Sequence, residues 1–210
     1  MLLDWGLEGK LSFRLTYSKP NNGAKPEDIC LACGLCCDGV IFADVKLQSS
    51  DDPMPLLALG SPLKANRSEN PGTVKSGGNP NVVSTKSPVA YFPQPCFAFD
   101  GCQCRIYPQR PQYCREFECL LLKSVRAGKT ERARALEVIG TAKRRANIVW
   151  RLLRELGDVD EDSPLSVRFR RTTKRLENSA LDEQTAARYG ELTLAVHDLN
   201  FLLSDAFYPK

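Results

Sequence analysis

Two hydrophobic periods divide this chain of 210 residues. Leu11, Phe13 and Leu15 alternate with polar residues across 10–17, which predicts a half-buried strand ended by Pro20-Asn-Asn-Gly23. Residues 40–47, Val-Ile-Phe-Ala-Asp-Val-Lys-Leu, form a second strand candidate. Residues 49–95 are rich in Pro, Gly, Ser and Asn, a turn composition that predicts a long irregular excursion. One short strand is expected within it, near Val82-Val83 or over 89–92.

Beyond residue 110 the period becomes helical. Arg110-Pro111 predicts a helix start, with Phe117, Leu120, Leu121 and Val125 at helical spacing and Gly128 as the stop. A longer helix is predicted over 131–156 from Leu136, Ile139, Ala142, Ala146, Val149, Leu153 and Leu156, ended by Gly157. Ser163-Pro164 predicts the cap and first position of a short helix through Leu165, Phe169, Thr172 and Leu176. A last helix over 182–204 places Ala186, Tyr189, Leu192, Val196, Leu199 and Leu203 on one face. The expected fold is α+β: a small loop-rich cysteine domain with short strands over 1–128, packed on a mainly α-helical region over 129–210.

Composition changes little in that picture. Hydrophobic residues at 42% and charged residues at 26% are ordinary for a globular protein, and the net charge is only +4. Residues 120–157 carry 10 basic and 3 acidic side chains, whereas 158–210 carry 7 and 10. The basic charge is therefore local, which argues against nucleic acid as a partner and leaves an unknown protein partner open. The opening Met1-Leu-Leu-Asp4 lacks the basic start of a secretory leader, and no apolar run reaches the roughly 18 residues of a membrane helix. The expected compartment is the cytoplasm, with no membrane association, and there thiols stay reduced.

Nine cysteines in a reducing compartment point to metal. Cys30, Cys33 and Cys36 stand at x-x intervals, followed at once by Cys37; Cys96, Cys104, Cys114 and Cys119 come later. Three thiols at that spacing are what bacterial ferredoxins place on three corners of a [4Fe–4S] cluster. Zinc can use the same loop, so an iron–sulfur cluster is only slightly ahead of zinc. Adjacent side chains tend to diverge, so Cys36 and Cys37 serve different centres, or one of them stands apart as a reactive thiol. Cys114 and Cys119 would lie about 140° apart in one regular helix. Either the helix begins after Cys114 or the two sulfurs face different centres. A four-thiolate centre carries about −2 charge. Arg105, Arg110 and Arg115 are placed to offset it, and Tyr107 and Phe117 to exclude water. Cys102 duplicates Cys104 within Gly101-Cys-Gln-Cys104 and reads as a bystander.

The array Cys-x₂-Cys-x₂-Cys-Cys, with Gln94-Pro-Cys96 and the run Cys104-Arg-Ile-Tyr-Pro-Gln-Arg-Pro-Gln-Tyr-Cys114-Arg-Glu-Phe-Glu-Cys119, resembles the YkgJ-type CxxCxxCC cysteine-cluster family over about 28–122. The resemblance implies a zinc- or iron-chelating domain with Cys30, Cys33, Cys36, Cys37, Cys96, Cys104, Cys114 and Cys119 as ligands and Cys102 outside the pattern. That family includes a flagellin lysine N-methylase, so an enzymatic branch exists; whether this chain is an enzyme stays open, and no catalytic residue stands out.

Other candidates are weaker. His197 is the only histidine and has no cysteine near it in sequence. Asp158-Val-Asp160-Glu-Asp162 alternates like calcium ligands, but Ser163 and Phe169 stand where glycine and a bidentate glutamate are needed, so it reads as a solvated linker. Lys143-Arg144-Arg145 and Arg168-Phe-Arg170-Arg171 read as solvated helix faces rather than phosphate contacts. No phosphate-cradling glycine loop or dinucleotide fingerprint occurs. Three functions follow: a metal- or cluster-binding protein with a redox, sensing or metal-handling role; a protein-modifying enzyme; or a structural zinc module that binds RNA or a protein.

Overall fold

A computed structural model of the chain describes residues 28–65 and 90–208. The strand expected over 10–17 and the alternative at Val82-Val83 lie outside those residues. The fold is α+β, with a helical C-terminal region and a small antiparallel sheet.

Helices dominate after residue 119. Helix α4 covers Leu120–Arg126, α5 Arg132–Glu155, α6 Leu165–Glu177 and α7 Glu183–Ala206. Helix α5 buries Ala135, Ile139, Ala142, Ala146, Val149, Leu152 and Leu153, close to the stripe its sequence predicts. The small residues on that stripe leave room for α7, which contributes Leu192, Val196, Leu199 and Leu203 to the same core. Gly157 ends α5 at φ +80°, a conformation side chains disfavour. Asp182 caps α7, accepting from Thr185 N at 2.8 Å.

The linker from α5 to α6 departs from expectation. Asp158 is buried rather than solvated, and Arg168 Nε donates to its Oδ2 at 2.6 Å. Arg171 also binds Asp158, and reaches Asp160 Oδ2 at 2.5 Å. Arg175 donates to the Leu156 and Gly157 carbonyls at the end of α5. The basic run on α6 thus contains a buried ion pair as well as exposed cations, because a turn at Gly157 brings the aspartate beneath the helix.

The remaining elements are short. Helix α1 covers Asp28–Cys33, β1 Asp44–Lys46, α2 Met54–Leu57, β2 Lys64–Ala65, β3 Ala90–Pro93 and α3 Gln112–Glu116. The sheet order is β1-β3-β2, with Val45 opposite Phe92 and Lys64 opposite Tyr91. The strand candidate over 40–47 shrinks to its last residues, and the one over 89–92 appears one position later. Strand β2 and helix α2 carry no clear sequence signal. The helix expected from Pro111 to Gly128 is broken: Pro111 caps α3, Phe117 is extended, and α4 starts afresh after Cys119.

Two hydrophobic cores result. One gathers α1, α4, α5, α6 and α7 around Ile29, Cys33, Leu35, Val149 and Leu199. The other gathers Val45, Leu47, Leu56, Phe92, Ala98 and Ile106 around the sheet. The first cysteine loop runs between them.

Candidate metal centre

Helix α1 carries Cys30 and Cys33 three residues apart, hence on one face. The chain must then turn sharply. Gly34 does this at φ +71°, and a Cβ there would stand 2.5 Å from the Phe99 ring, so only glycine fits. Cys37 N donates back to Gly34 O at 2.8 Å and closes the turn. Cys36 and Cys37 follow on this tight loop, and the Cys37 carbonyl accepts from Cys96 N at 2.7 Å. That bond ties the first cysteine segment to the second.

In the second segment, Phe99 pairs with Cys104 in an isolated bridge, and Tyr107 N donates to Cys104 O at 3.2 Å. Cys114 lies on α3. Cys119 caps α4, its Sγ accepting from Leu122 N at 3.4 Å. The break between α3 and α4 resolves the 140° difficulty, since the two thiols occupy separate elements.

All eight pattern cysteines line one cavity of about 110 Å³. This is well above the roughly 10–15 Å³ that admits a single water, so it is no ordinary packing defect. Cys102 is exposed and lies off that cavity, in a turn where Asp100 Oδ1 accepts from Cys102 N at 2.9 Å. The cysteines form no disulfide. Among the described residues no three Cys, His, Asp or Glu side chains are drawn together as the ligands of an ion. The thiols wall the cavity instead.

Burial governs the thiols. It pushes Cys33 up to about 12, with Cys119 and Cys30 adding to the rise and a Leu35 backbone bond opposing it. Cys114 is also pushed up to about 12 by burial, then by Cys96 and Cys104, with Arg110 opposing. Burial likewise raises Cys36 and Cys37. Cys96, Cys104 and Cys119 are raised more mildly, against backbone N–H groups. Burial disfavours the thiolate form here, and a cation among the thiols would favour it. Beside Cys37, burial lifts Asp38 to about 6 against a bond from Val40 N.

The arginines divide. Arg110 lines the cavity, stacks its guanidinium 3.6 Å over the Tyr107 ring and opposes the rise at Cys104 and Cys114. Its Nε is buried without a hydrogen-bond partner, as is Gln94 Oε1 on the same cavity. Arg105 favours the Cys96 thiolate and donates to Phe97 O at 2.6 Å. Arg115 turns to the Arg110 carbonyl at 3.0 Å. Tyr107 and Phe117 both line the cavity.

Two contributors escaped the sequence. Phe99 covers Gly34, and Phe207, buried at the end of α7, reaches the cavity and accepts from Leu120 N at 3.2 Å through its carbonyl. Neither carries a motif. His197 is exposed on α7 and far in sequence from the thiols. Lys143 Nζ donates to Ala32 O at 2.9 Å and Arg145 to Asp198 O at 2.6 Å, so two of that basic trio hold the fold.

Soft donors around an apolar cavity define a cysteine-cluster chelating domain, and the residues present fit a thiolate-bound metal. The family model CxxCxxCC, described as "Putative zinc- or iron-chelating domain", matches residues 29–137, and the chain belongs to that family. Searches of curated proteins and of solved structures returned no match. No helix among the described residues is long and apolar enough to cross a membrane.

Proposed function

We propose that this chain is a metal-binding protein whose Cys30, Cys33, Cys36, Cys37, Cys96, Cys104, Cys114 and Cys119 hold iron–sulfur or zinc, in a redox, sensing or metal-handling role. The observation that carries the reading is selective: eight of nine cysteines wall one cavity, and the ninth is exposed. Iron–sulfur is the preferred occupant because Cys30, Cys33 and Cys36 repeat the three-corner ferredoxin spacing.

Anaerobic purification followed by elemental analysis and absorption spectroscopy tests this. A brown protein absorbing broadly near ~400 nm supports iron–sulfur ligation. A colourless preparation with stoichiometric zinc replaces that choice with zinc. Cys33→Ser is expected to reduce bound metal, whereas Cys102→Ser leaves it unchanged. Equal loss in both would remove the basis of the ligand assignment.

A further inference from the structure

We infer that the eight thiols of this one cavity form two four-thiol centres, divided at the Cys36–Cys37 peptide bond: Cys30, Cys33, Cys36 and Cys119 on the side of the helical core, and Cys37, Cys96, Cys104 and Cys114 on the side of the sheet core. This rests on the metal-binding reading and deepens it.

Core membership separates the thiols. Cys33 belongs to the helical core and Cys119 packs against it, while Cys96, Cys104 and Cys114 pack against the sheet core. The flanking segments place the remainder. Cys30 shares a face of α1 with Cys33, and α1 packs on α5. Cys37 is joined to the sheet side by its bond from Cys96 N. Cys36 repeats the three-residue step from Cys30 to Cys33, on the loop that Gly34 turns.

The break after α3 serves the same division. A continuous helix from Pro111 would have fixed Cys114 and Cys119 rigidly on one rod. Extended Phe117 lets α3 stay with the sheet, where Tyr113 and Phe117 pack around Phe42 at centroid distances of 5.5 and 4.7 Å. Helix α4 is then free to dock on α5. One chain segment supplies the last thiol to each set.

The surroundings differ too. Arg105 and Arg110 stand beside the sheet-core thiols, whereas Phe207 and Tyr208 close the helical-core side, where burial and then Cys36 raise the Tyr208 hydroxyl.

The test is native mass spectrometry of the full chain, purified as apo-protein anaerobically and loaded with Zn(II). Wild type is expected to take up two ions. Cys36→Ser and Cys37→Ser each retain one. The same-set pair Cys33→Ser with Cys36→Ser also retains one, while the cross-set pair Cys36→Ser with Cys37→Ser retains none. One ion in wild type, or equal uptake by the two double variants, overturns the division while leaving metal binding intact. No uptake in wild type removes the metal-binding reading and this inference together. A second measurement needs no substitution: the wild-type chain is given one equivalent of Zn(II) and its thiols are alkylated and mapped by peptide mass. Protection must fall on Cys30 with Cys33, Cys36 and Cys119, or on Cys37 with Cys96, Cys104 and Cys114. Protection that pairs Cys33 with Cys114 overturns the division even if a variant fails to fold.

Discussion

The region of α5, α6 and α7 and the region from β1 to α3 are stabilised by different means. Among the described residues, the helical core holds large fully buried side chains on several elements, including Leu152, Leu153, Leu192, Leu199, Leu203 and Phe207. The sheet core has only Val45, Leu47, Leu56, Phe92, Ala98 and Ile106, set on strands of two to four residues. Burial at roughly 1.5–3 kcal/mol per large side chain carries the first region against its chain entropy, but leaves the second short. The difference marks the region from β1 to α3 as the one that a bound metal would stabilise.

The largest effect should come from removing metal. Structural zinc in small domains contributes about 10–16 kcal/mol in apparent binding free energy, which in such cases is folding free energy. Anaerobic chelation is expected to abolish amide-exchange protection over 90–116 while α5 and α7 keep theirs. Uniform loss along the chain would mean that the two regions form one metal-dependent unit. Chelator should also release the half-buried thiols, Cys96 and Cys104 among them, before Cys33, which is buried. Two release phases are expected, and the later one should belong to Cys33 in time-resolved alkylation.

Leu199→Ala strikes the other side of the comparison. The side chain is fully buried between α7 and α5, so truncation should cost about 2–5 kcal/mol. Bound metal per folded chain is expected to stay constant, as read from elemental analysis of the native fraction. Asp158→Ala belongs with it, because it strands the buried Arg168 guanidinium and should cost about 3–5 kcal/mol.

Gly34→Ala tests the hinge between the regions. The φ of +71° and the 2.5 Å approach to Phe99 each oppose a methyl group, and strain of this kind costs about 1–3 kcal/mol. Unlike Leu199→Ala, it should weaken metal uptake along with thermal stability. A variant with normal metal content and a lowered melting temperature would show that Phe99 is a packing contact alone.

These contrasts bear on what the sequence could disclose. The periodicities of α5 and α7 were plain because each buries one continuous stripe, which the 3.6-residue repeat records directly. The cysteines were equally plain, as their spacing is itself the signal. Helix α2 and strand β2 were not, for two to four residues are too few to carry a period. The break at Phe117 was visible only as a conflict between Cys114 and Cys119 on one helix, and the chain resolves that conflict by ending the helix. Asp158 reads as solvated in the sequence because local composition says nothing about Arg168, ten residues on, whose Nε meets its carboxylate in the interior. Phe99 and Phe207 meet the cavity through tertiary structure, for which a single sequence offers no local mark.

The smallest expected effect lies at Asp160, in the linker of the helical region. Arg171 and then Ser163 hold its carboxyl below the usual range through side-chain hydrogen bonds. A depressed carboxylate contributes stability that is complete above its unfolded value, about pH 4, and lost as pH falls through the folded value. The pair is exposed, so its worth is less than about 1 kcal/mol. Asp160→Asn should therefore melt slightly below wild type at pH 7, and the gap should narrow as the pH falls below about 4. Acid also strips metal by protonating thiolates, but that loss is common to both chains and cancels in their difference. A gap that widened toward pH 3 would mean that Asp160 is better accommodated protonated than charged, and the ion pair would have no part in holding α6 to the end of α5.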